Sequence, residues 1–407
     1  MEEPMRSWLA LFVLITNLGF FQPMAPERDS VEINGLEASY HFGEEITFHA
    51  QITPLDHIMG AYLFLQPTGD QTRTEKIVPG LDGQINFFYD LTQKPIRPFT
   101  KITYWLQAVL DQGSPISSDK LSFDYEDNRF AWQQLDGGNF QVRWITGDMV
   151  FGQAILNAAQ RGLRSAVSIL PAALPIPTKI YVYPNATDLQ GASLDHQSWA
   201  AGNAMVDLGT ITISIAPGAE QEFELDRQIP HELMHILTYQ AAGDSYQRLP
   251  VWFTEGMASL AETTPNPDYQ SALNQAVDSG TLIPFASLCN TFPTEASGAF
   301  LAYAQSASFV RFIHEKYGTS AFQKMITGYQ NGLGCEDGVN AALGSSLEQL
   351  DLRWQQETQG VDTGSLAIQN LSPYLISGLL LIILPVGFGL SSRRKVKNSA
   401  PSREVTK

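Results

Sequence analysis

The chain has 407 residues, 44% of them hydrophobic, so it is long enough for two or three domains with full cores and is not a disordered protein. Its formal net charge of −17 argues against nucleic acid as a partner, because a nucleic-acid binder needs a basic face to neutralise phosphates. The charge is unevenly distributed: residues 391–407 carry six Lys or Arg and one Glu, which is +5 and leaves −22 for the remainder.

An apolar run from Trp8 to Phe21 follows Arg6 and has the length of a signal peptide. No small-x-small cleavage site follows it, since Ala25 stands directly before Pro26. Residues 1–25 are therefore predicted to be a signal peptide or an N-terminal anchor. Either would send the following chain across the membrane.

Residues 30–125 show short runs of alternating apolar and polar residues, rich in β-branched and aromatic types and separated by Pro, Gly and Asp. This period-two pattern describes antiparallel strands, and we predict a β-sandwich of immunoglobulin or fibronectin III type. No catalytic site is expected here, because the histidines of this region lack metal-ligand spacing. The predicted strands are Ile46–Ile52, Ala61–Leu65, Ile85–Tyr89 and Ile102–Ala108.

A polar cluster at Asp124–Phe130 ends the alternation and predicts a domain boundary, after which residues 126–360 form a second, α+β domain. This domain is predicted to be rich in strands in its first half and helical in its second half. The predicted strands are Phe140–Trp144, Lys179–Tyr183 and Thr210–Ile215, and the predicted helices are Ala154–Ile169, Val251–Glu262, Asp268–Val277, Leu301–Tyr317, Thr319–Gln330 and Ser345–Thr358.

Three local features of this domain concern its helix starts and its sheet edge. Thr210–Ile215 is either an edge strand, to which an extended peptide backbone can bind, or an interior strand. Pro230 either lies in the first turn of a helix that starts near Ile229 or interrupts a helix that starts near Glu222. Ser345–Glu348 has the spacing of a capping box and predicts the start of the last helix.

The stretch His231-Glu232-Leu233-Met234-His235 carries the strongest functional signal of the chain. Two histidines four residues apart on a helix point to the same side, where they can bind one metal ion, and Glu232 then points toward the water on that metal. This pattern predicts a catalytic site with one zinc ion per chain. His231 and His235 are the predicted ligands, and Glu232 is the predicted general base.

A catalytic zinc site takes three protein ligands and keeps a further position for water. Glu255, in the sequence Trp252-Phe253-Thr254-Glu255-Gly256, is the predicted third ligand, since two histidines and a glutamate are a known ligand set of catalytic zinc. Glu262, seven residues later on roughly the same helix face, is the alternative.

Residues 371–390 form a charge-free, mostly apolar run that is followed by the basic stretch Arg393–Lys397. About twenty such residues suffice to span a bilayer, and the basic cluster marks the cytoplasmic side. We therefore predict a transmembrane helix at 371–390, a basic cytoplasmic tail at 391–407 and an extracytoplasmic region from about residue 26 to 370. The protein is expected to be a single-pass protein of the cell membrane with its catalytic domain outside the cytoplasm.

Both cysteines of the chain, Cys289 and Cys335, fall in the predicted extracytoplasmic region. In an oxidising compartment we expect them to form a disulfide, which stabilises by about 3–4 kcal/mol in the chain-entropy model. The alternative is two unpaired buried cysteines.

The metal motif and Trp252–Ala258 together resemble the gluzincin, or thermolysin-like, metallopeptidases, and most of all the membrane-anchored bacterial proteins with a peptidase MA-like domain. A looser similarity covers residues 126–358 and includes Asp127–Trp132 and Tyr303–Ser306. The resemblance implies a zincin fold, in which a small twisted sheet lies over the metal helix and a helical lobe closes the cleft.

The resemblance also implies a Tyr or His from the later lobe that hydrogen-bonds the oxyanion of the tetrahedral intermediate. Tyr303 is the predicted donor and His314 the alternative. Where thermolysin-like enzymes have an acidic residue four positions after the ligand glutamate, this chain has Ser259. Glu262 is the candidate to orient a metal-bound histidine in its place.

The sequence thus predicts a membrane-anchored, extracytoplasmic zinc metallopeptidase that hydrolyses peptides or proteins through a zinc-bound water, with Glu232 as base. The alternative is a catalytically degenerate zincin whose ectodomain binds a ligand for adhesion or sensing. The presence of three ligands and the base favours the enzyme. Neither the cleavage specificity nor the oligomeric state follows from the sequence.

Overall fold

A computed structural model of the protein describes residues 31–193 and 202–360. These residues form two compact units. The first unit contains residues 31–94 together with 101–123, and the second contains 95–100, 124–193 and 202–360. The boundary predicted from the sequence places 95–100 in the first domain. They group with the second unit, where the backbones of Phe99 and Thr100 hydrogen-bond with the backbone of Tyr125.

The segments predicted to meet the membrane lie outside the described residues. They are the signal peptide or anchor at 1–25, the transmembrane helix at 371–390 and the tail at 391–407. Among the helices of the described ranges, none is both long enough and apolar enough to cross a membrane.

The first unit consists of two antiparallel sheets. Its strands are β1 (Glu32–His41), β2 (Glu45–Thr53), β3 (Ile58–Pro67), β4 (Arg73–Ile77), β5 (Gln84–Asp90), β6 (Lys101–Leu110), β7 (Ile116–Ser117) and β8 (Leu121–Asp124), whose last residue belongs to the second unit. One sheet has the order β1-β2-β5 and the other β4-β3-β6-β7, and β8 also pairs with β6. Alternate residues of β2, β3 and β6 are buried, and the rings of Phe48 and Tyr104 meet between the sheets with centroids 5.3 Å apart.

The four strands predicted in this unit are all present, as β2, β3, β5 and β6. The prediction missed β4, whose sequence Arg-Thr-Glu-Lys-Ile is mostly charged and has no apolar alternation. It also missed β1, whose residues are exposed or only half-buried and so show little apolar pattern. Strands of this kind form because a neighbouring strand supplies hydrogen-bond partners, which local sequence does not reveal.

The second unit is built on a five-stranded mixed sheet. Its strands are β9 (Gln133–Gly137), β10 (Phe140–Trp144), β11 (Thr178–Tyr183), β12 (Gly202–Met205) and β13 (Thr210–Ser214), in the order β12-β13-β11-β10-β9. β10, β11 and β13 are parallel to one another, whereas β9 and β12 run antiparallel to their neighbours. The strand predicted at 210–215 is therefore interior. The sheet edge nearest the metal motif is β12, which the sequence did not predict.

The remainder of the second unit is helical. The helices are α1 (Met149–Ile169), α2 (Ala186–Gln190), α3 (Gln221–Ala242), α4 (Val251–Ala261), α5 (Tyr269–Ser279), α6 (Ala296–Tyr317), α7 (Thr319–Gln330), α8 (Cys335–Leu343) and α9 (Leu347–Glu357), with 3-10 turns at Gly243–Arg248 and Phe285–Leu288. One continuous apolar core runs from the sheet through α1, α3 and α4 to α9. The mixed α+β class predicted for the chain is confirmed.

Several helix boundaries differ from the prediction. α6 begins at Ala296 rather than Leu301, and α8 was not predicted. The capping box of α9 is formed by Ser346 with Gln349, one residue later than the predicted pair. Ser345–Glu348 and Ser346–Gln349 both have the capping-box spacing. The observed box begins the helix at Leu347, which is buried.

Pro230 lies inside α3, so of the two alternatives the helix that begins well before the proline is the one observed. Its ring packs against α1 at Gly162, where an added Cβ would stand only 2.8 Å from Pro230 Cγ. Glycine at this point lets the two helices approach closely. The proline is therefore a buried contact between α1 and the metal helix.

The motif Asp127–Trp132, part of the looser resemblance, fastens the beginning of the second unit to its sheet. Asp127 is fully buried, forms an ion pair with Arg129 at 2.7 Å and accepts a hydrogen bond from the Tyr183 hydroxyl at 2.9 Å. Trp132 Nε1 donates to the Asp127 carbonyl at 2.6 Å. A buried carboxylate needs such partners, and here they tie the segment to β11.

Candidate metal centre

α3 presents His231, Glu232 and His235 on one side, because residues three and four apart are neighbours on a helix surface. The centroids of the two imidazole rings are 5.0 Å apart. On the opposite side of the helix, Leu233 and Leu237 are completely buried in the apolar core. The core therefore fixes the rotation of α3 that aims the three polar side chains into the cleft.

α4 brings Glu255 to the two histidines. Its neighbours Trp252 and Phe253 are completely buried, with Trp252 packed against Phe285 and Phe309. At Gly256 an added Cβ would stand 2.5 Å from the Ser306 carbonyl oxygen of α6, so only glycine permits this close approach of the two helices. The sequence around Glu255 thus anchors the helix on the sides that do not face the metal site.

The potential ligand atoms of His231, His235 and Glu255 all lie within 4.8 Å of one another. Glu255 Oε2 is 3.4 Å from His231 Nε2 and 3.6 Å from His235 Nε2. Ligands held at about 2.0–2.2 Å around a tetrahedral zinc ion are about 3.3–3.6 Å apart, so both the spacing and the donor set fit zinc. No other group of three His, Cys, Asp or Glu side chains with this spacing occurs in the described part of the chain.

The site is largely buried and strongly anionic, which favours a bound cation. Burial alone would raise the pKa of Glu255, but His235 and His231 beside it hold that pKa well below its usual range. Burial opposes protonation of His231, yet its hydrogen bonds to Glu255 and Glu262 raise its pKa to about 10. Without a metal, a proton on His231 therefore balances part of the negative charge, and a divalent cation would replace it.

Glu262 lies behind His231, on the side away from Glu255. His231 Nδ1 donates to Glu262 Oε1 at 3.0 Å, and only 3% of the Glu262 side chain is exposed. Glu262 therefore faces the nitrogen that does not point at Glu255. This contact fixes the ring orientation and makes the imidazole a stronger ligand. Ser259 has no carboxylate and cannot make such a contact.

His235 has a corresponding partner that sequence reasoning missed. Its Nδ1 lies 3.0 Å from the hydroxyl of Tyr246, in the 3-10 turn after α3. Burial raises the pKa of Tyr246, so the hydroxyl stays neutral, and its oxygen accepts a hydrogen bond from Nδ1–H when Nε2 serves as ligand. No spacing rule links Tyr246 to His235, because the chain must reverse direction at Gly243 to bring them together.

Glu232 lies at the edge of the sheet. An added Cβ at Gly202 in β12 would stand 2.7 Å from Glu232 Oε1, so the glycine makes room for this carboxylate. Burial raises the pKa of Glu232. A carboxylate whose pKa lies nearer to neutral pH is a better proton acceptor, which suits a general base.

The structure brings Tyr303 to the metal site and leaves His314 elsewhere. The Tyr303 ring lies 6.5 Å from the His231 ring between centroids and packs edge-on against Phe292. Burial, together with the nearby carboxylates of Glu255 and Glu232, raises the pKa of Tyr303, so its hydroxyl keeps its proton. His314 instead stacks on Phe322 in α7.

The two cysteines form the Cys289–Cys335 disulfide, so the alternative of two free thiols is not observed. The bridge lies at the start of α4, the helix that carries Glu255. Trp252 Nε1 donates to Cys335 Sγ at 3.4 Å, and the Val251 amide donates to the Cys289 carbonyl at 2.9 Å. Covalent closure of this loop thus supports the helix that supplies the third candidate ligand.

A cavity of about 250 Å³ adjoins the site. Its lining includes His231, Glu232 and Tyr303, together with Tyr269 and Phe300. This is space for a substrate group directly beside the candidate ligands and base.

The part of the chain that carries the candidate metal site is similar in sequence to a known protein family. Residues 158–360, about half of the chain, match the model of the Peptidase MA superfamily. No curated protein matches the chain.

Three solved structures show weak similarity, at TM-scores too low to establish a common fold. An aminopeptidase N family protein from Idiomarina loihiensis is 10% identical in sequence, with a TM-score of 0.36. The match covers 81% of this chain and 73% of that one. Purple acid phosphatase PPD1 from yellow lupin (Lupinus luteus) seeds is 11% identical, with a TM-score of 0.21, and the match covers 47% of this chain and 35% of that one. The Br derivative of BhCBM56 is 10% identical, with a TM-score of 0.18, and the match covers 22% of this chain and 88% of that one.

The matched residues include the whole of α3 and α4, and with them both histidines, Glu232 and Glu255. Residues 158–360 therefore form a gluzincin-like domain of the Peptidase MA superfamily.

Proposed function

We propose that the protein is a zinc-dependent metallopeptidase. The observation that carries the proposal is the convergence of His231, His235 and Glu255, with ligand atoms within 4.8 Å of one another, beside the buried carboxylate of Glu232. These three residues would hold a zinc ion, which would act as a Lewis acid that lowers the pKa of water and polarises a peptide carbonyl. The substrate class that follows is a peptide or a protein.

Each nearby side chain then has a distinct part in hydrolysis. Glu232 takes the proton of the attacking water and returns it to the leaving amine. Tyr303, which keeps its proton, donates a hydrogen bond to the oxyanion as it develops. Glu262 and Tyr246 hold the two histidines in place through their Nδ1 atoms.

The substrate backbone is expected to bind along β12. This strand is the edge of the described sheet, and Gly202 within it lies against Glu232. An extended peptide added to a sheet edge is held by main-chain hydrogen bonds. Such binding would deliver the scissile bond to the base without demanding particular side chains.

The deciding experiment measures zinc content and cleavage of a peptide library on the same full-length preparation, before and after Glu232→Gln. One equivalent of zinc with cleavage that depends on Glu232 supports the peptidase. One equivalent of zinc without any such cleavage would favour the degenerate, ligand-binding ectodomain.

Tyr303→Phe is expected to lower kcat by about 10²–10³-fold with little change in KM, because an oxyanion donor acts in the transition state rather than in substrate binding. Tyr317→Phe, at the C-terminal end of the same helix, is the matched control and should retain activity. Steady-state kinetics on one peptide measures both constants. Full activity of Tyr303→Phe would remove this residue from the mechanism.

For the first unit we propose a sandwich of immunoglobulin or fibronectin III type that presents or spaces the peptidase domain. Its two sheets, β1-β2-β5 and β4-β3-β6-β7, support this proposal. In the constant-type immunoglobulin arrangement the fourth strand extends the first sheet, whereas here β4 pairs with β3 in the second. The strand order therefore favours the fibronectin-like variant.

We also propose that the protein is anchored in the cell membrane by residues 371–390, with the catalytic domain outside and the tail at 391–407 in the cytoplasm. The apolar run, the basic stretch after it and the Cys289–Cys335 disulfide support this topology. A membrane-impermeant lysine reagent applied to intact cells is expected to label the exposed Lys76 and to spare Lys397. Labelling of Lys397 before the cells are opened would contradict the orientation.

A further inference from the structure

The carbonyl oxygen of Asp226 in α3 has an unusual partner. In an α-helix it would accept from the N–H four residues later, but that residue is Pro230, which has none. It accepts instead from Thr263, at 3.0 Å from the backbone nitrogen and 2.9 Å from Oγ1, and more distantly from the backbone nitrogen of Thr264 at 3.4 Å. The Asp226 carbonyl oxygen, for which the proline provides no N–H, therefore accepts hydrogen bonds from the segment that follows α4.

That segment carries Glu262, the residue directly before Thr263. Glu262 Oε1 accepts from His231 Nδ1 at 3.0 Å, and His231 is the residue directly after Pro230. Two contacts thus join the same two stretches of chain, one through the Asp226 carbonyl and one through the carboxylate behind the candidate metal ligand.

α1 supports both stretches from a single face. Arg161 Nη2 pairs with Asp226 Oδ1 at 2.7 Å, and Ser165 Oγ donates to the carbonyl of Ala261 at 2.8 Å. Between them, Gly162 lies directly against the Pro230 ring. The side chain of Asp226 and the end of α4 are therefore both held by the helix that packs on the proline.

We propose that Pro230 is a positioning residue of the metal centre, which withholds a helical N–H so that the Asp226 carbonyl holds Thr263, and with it Glu262, against His231. The inference rests on the proposed zinc site and explains why a proline stands inside the metal helix. An alanine at this position restores a donor four residues after Asp226. The restored N–H then competes with Thr263 for the same oxygen.

The test compares zinc affinity, measured by competition with a chelator, in the full-length protein and in Pro230→Ala. We expect affinity to fall about 10-fold, the lower end of the effect of losing a contact behind a metal ligand. The thermal midpoint without metal is expected not to fall, because alanine suits a helix interior better than proline. The visible absorption of Co²⁺ bound in place of zinc should change, and exchange of the Thr263 amide proton should become faster.

A double-mutant cycle links the effect to Glu262. In a Glu262→Ala background, Pro230→Ala is expected to cause no further loss of zinc affinity, since the group that it positions is absent. Thr263→Val removes the hydroxyl donor and should weaken zinc binding by a smaller factor. Thr327→Val is its matched control, because the Thr327 hydroxyl also donates to a backbone carbonyl, that of Gln323, but in α7.

Unchanged zinc affinity in Pro230→Ala, or losses that add fully to those of Glu262→Ala, would overturn the inference. A chain that binds zinc but cleaves no peptide would overturn the proposed peptidase and leave the role of Pro230 standing, because affinity, absorption and amide exchange do not depend on turnover.

Discussion

Glu232→Gln is expected to lower the turnover of any peptide substrate by about 10²–10⁴-fold while the protein keeps one equivalent of zinc. Glutamine has nearly the shape of glutamate, so the packing against Gly202 in β12 is preserved. Its amide cannot take the proton of water or return it to the leaving amine. The loss therefore falls on kcat, and metal analysis of the same sample shows that the site is intact.

Glu222→Gln is the matched control for this variant. Glu222 is an exposed residue of the same helix, so the substitution changes the same chemical group without touching the site. We expect it to retain full turnover. Full turnover in Glu232→Gln as well would show that another group accepts the proton, and the role of Glu232 would be wrong.

The candidate site was predictable to the extent that it depends on helix periodicity. His231, Glu232 and His235 lie within two turns of one helix, so their spacing alone predicts a shared side. Glu255 could be proposed because its chemistry completes a known ligand set, although the distance between α3 and α4 is a property of the fold. The structure brings the ligand atoms of His231, His235 and Glu255 within 4.8 Å of one another.

The residues that support the ligands were less predictable, because their positions depend on how the chain turns between elements. Tyr246 reaches His235 only through the 3-10 turn after α3, and Gly202 reaches Glu232 only because β12 pairs with β13. The sequence allows Glu262 either as a metal ligand or as the partner of a histidine. Only the geometry around His231 Nδ1 distinguishes these roles.

The strands, too, were predictable where local sequence determines them and unpredictable where pairing with a distant strand does. β2, β3, β5 and β6 were predicted because each buries alternate apolar side chains, a pattern visible in the sequence. β4 and β12 were missed because they are short edge strands of their sheets whose pairing, not their composition, makes them strands. The edge position of β12 matters most for the proposed function, since it is where we propose that the substrate backbone binds beside Glu232.

Glu255→Ala is expected to abolish stoichiometric zinc binding. Apparent zinc-binding free energies of about 10–16 kcal/mol in four-ligand structural sites correspond to roughly 3 kcal/mol per ligand, or a factor of about 100 or more in affinity. The loss here should be at least that large. Glu255 is the only carboxylate of the three-residue cluster, and without it two buried histidines would have to hold the cation. Isothermal titration or chelator competition on the metal-free protein measures the change.

Glu262→Ala is the informative comparison, because it removes a buried carboxylate from the same neighbourhood. It should weaken zinc binding by only about 10-fold, since Glu262 contacts His231 through Nδ1 and not through the nitrogen that faces Glu255. If Glu262→Ala abolished zinc binding and Glu255→Ala merely weakened it, Glu262 would be the third ligand. His231 would then have to bind the metal through Nδ1, and the zinc ion would lie on the opposite side of its ring.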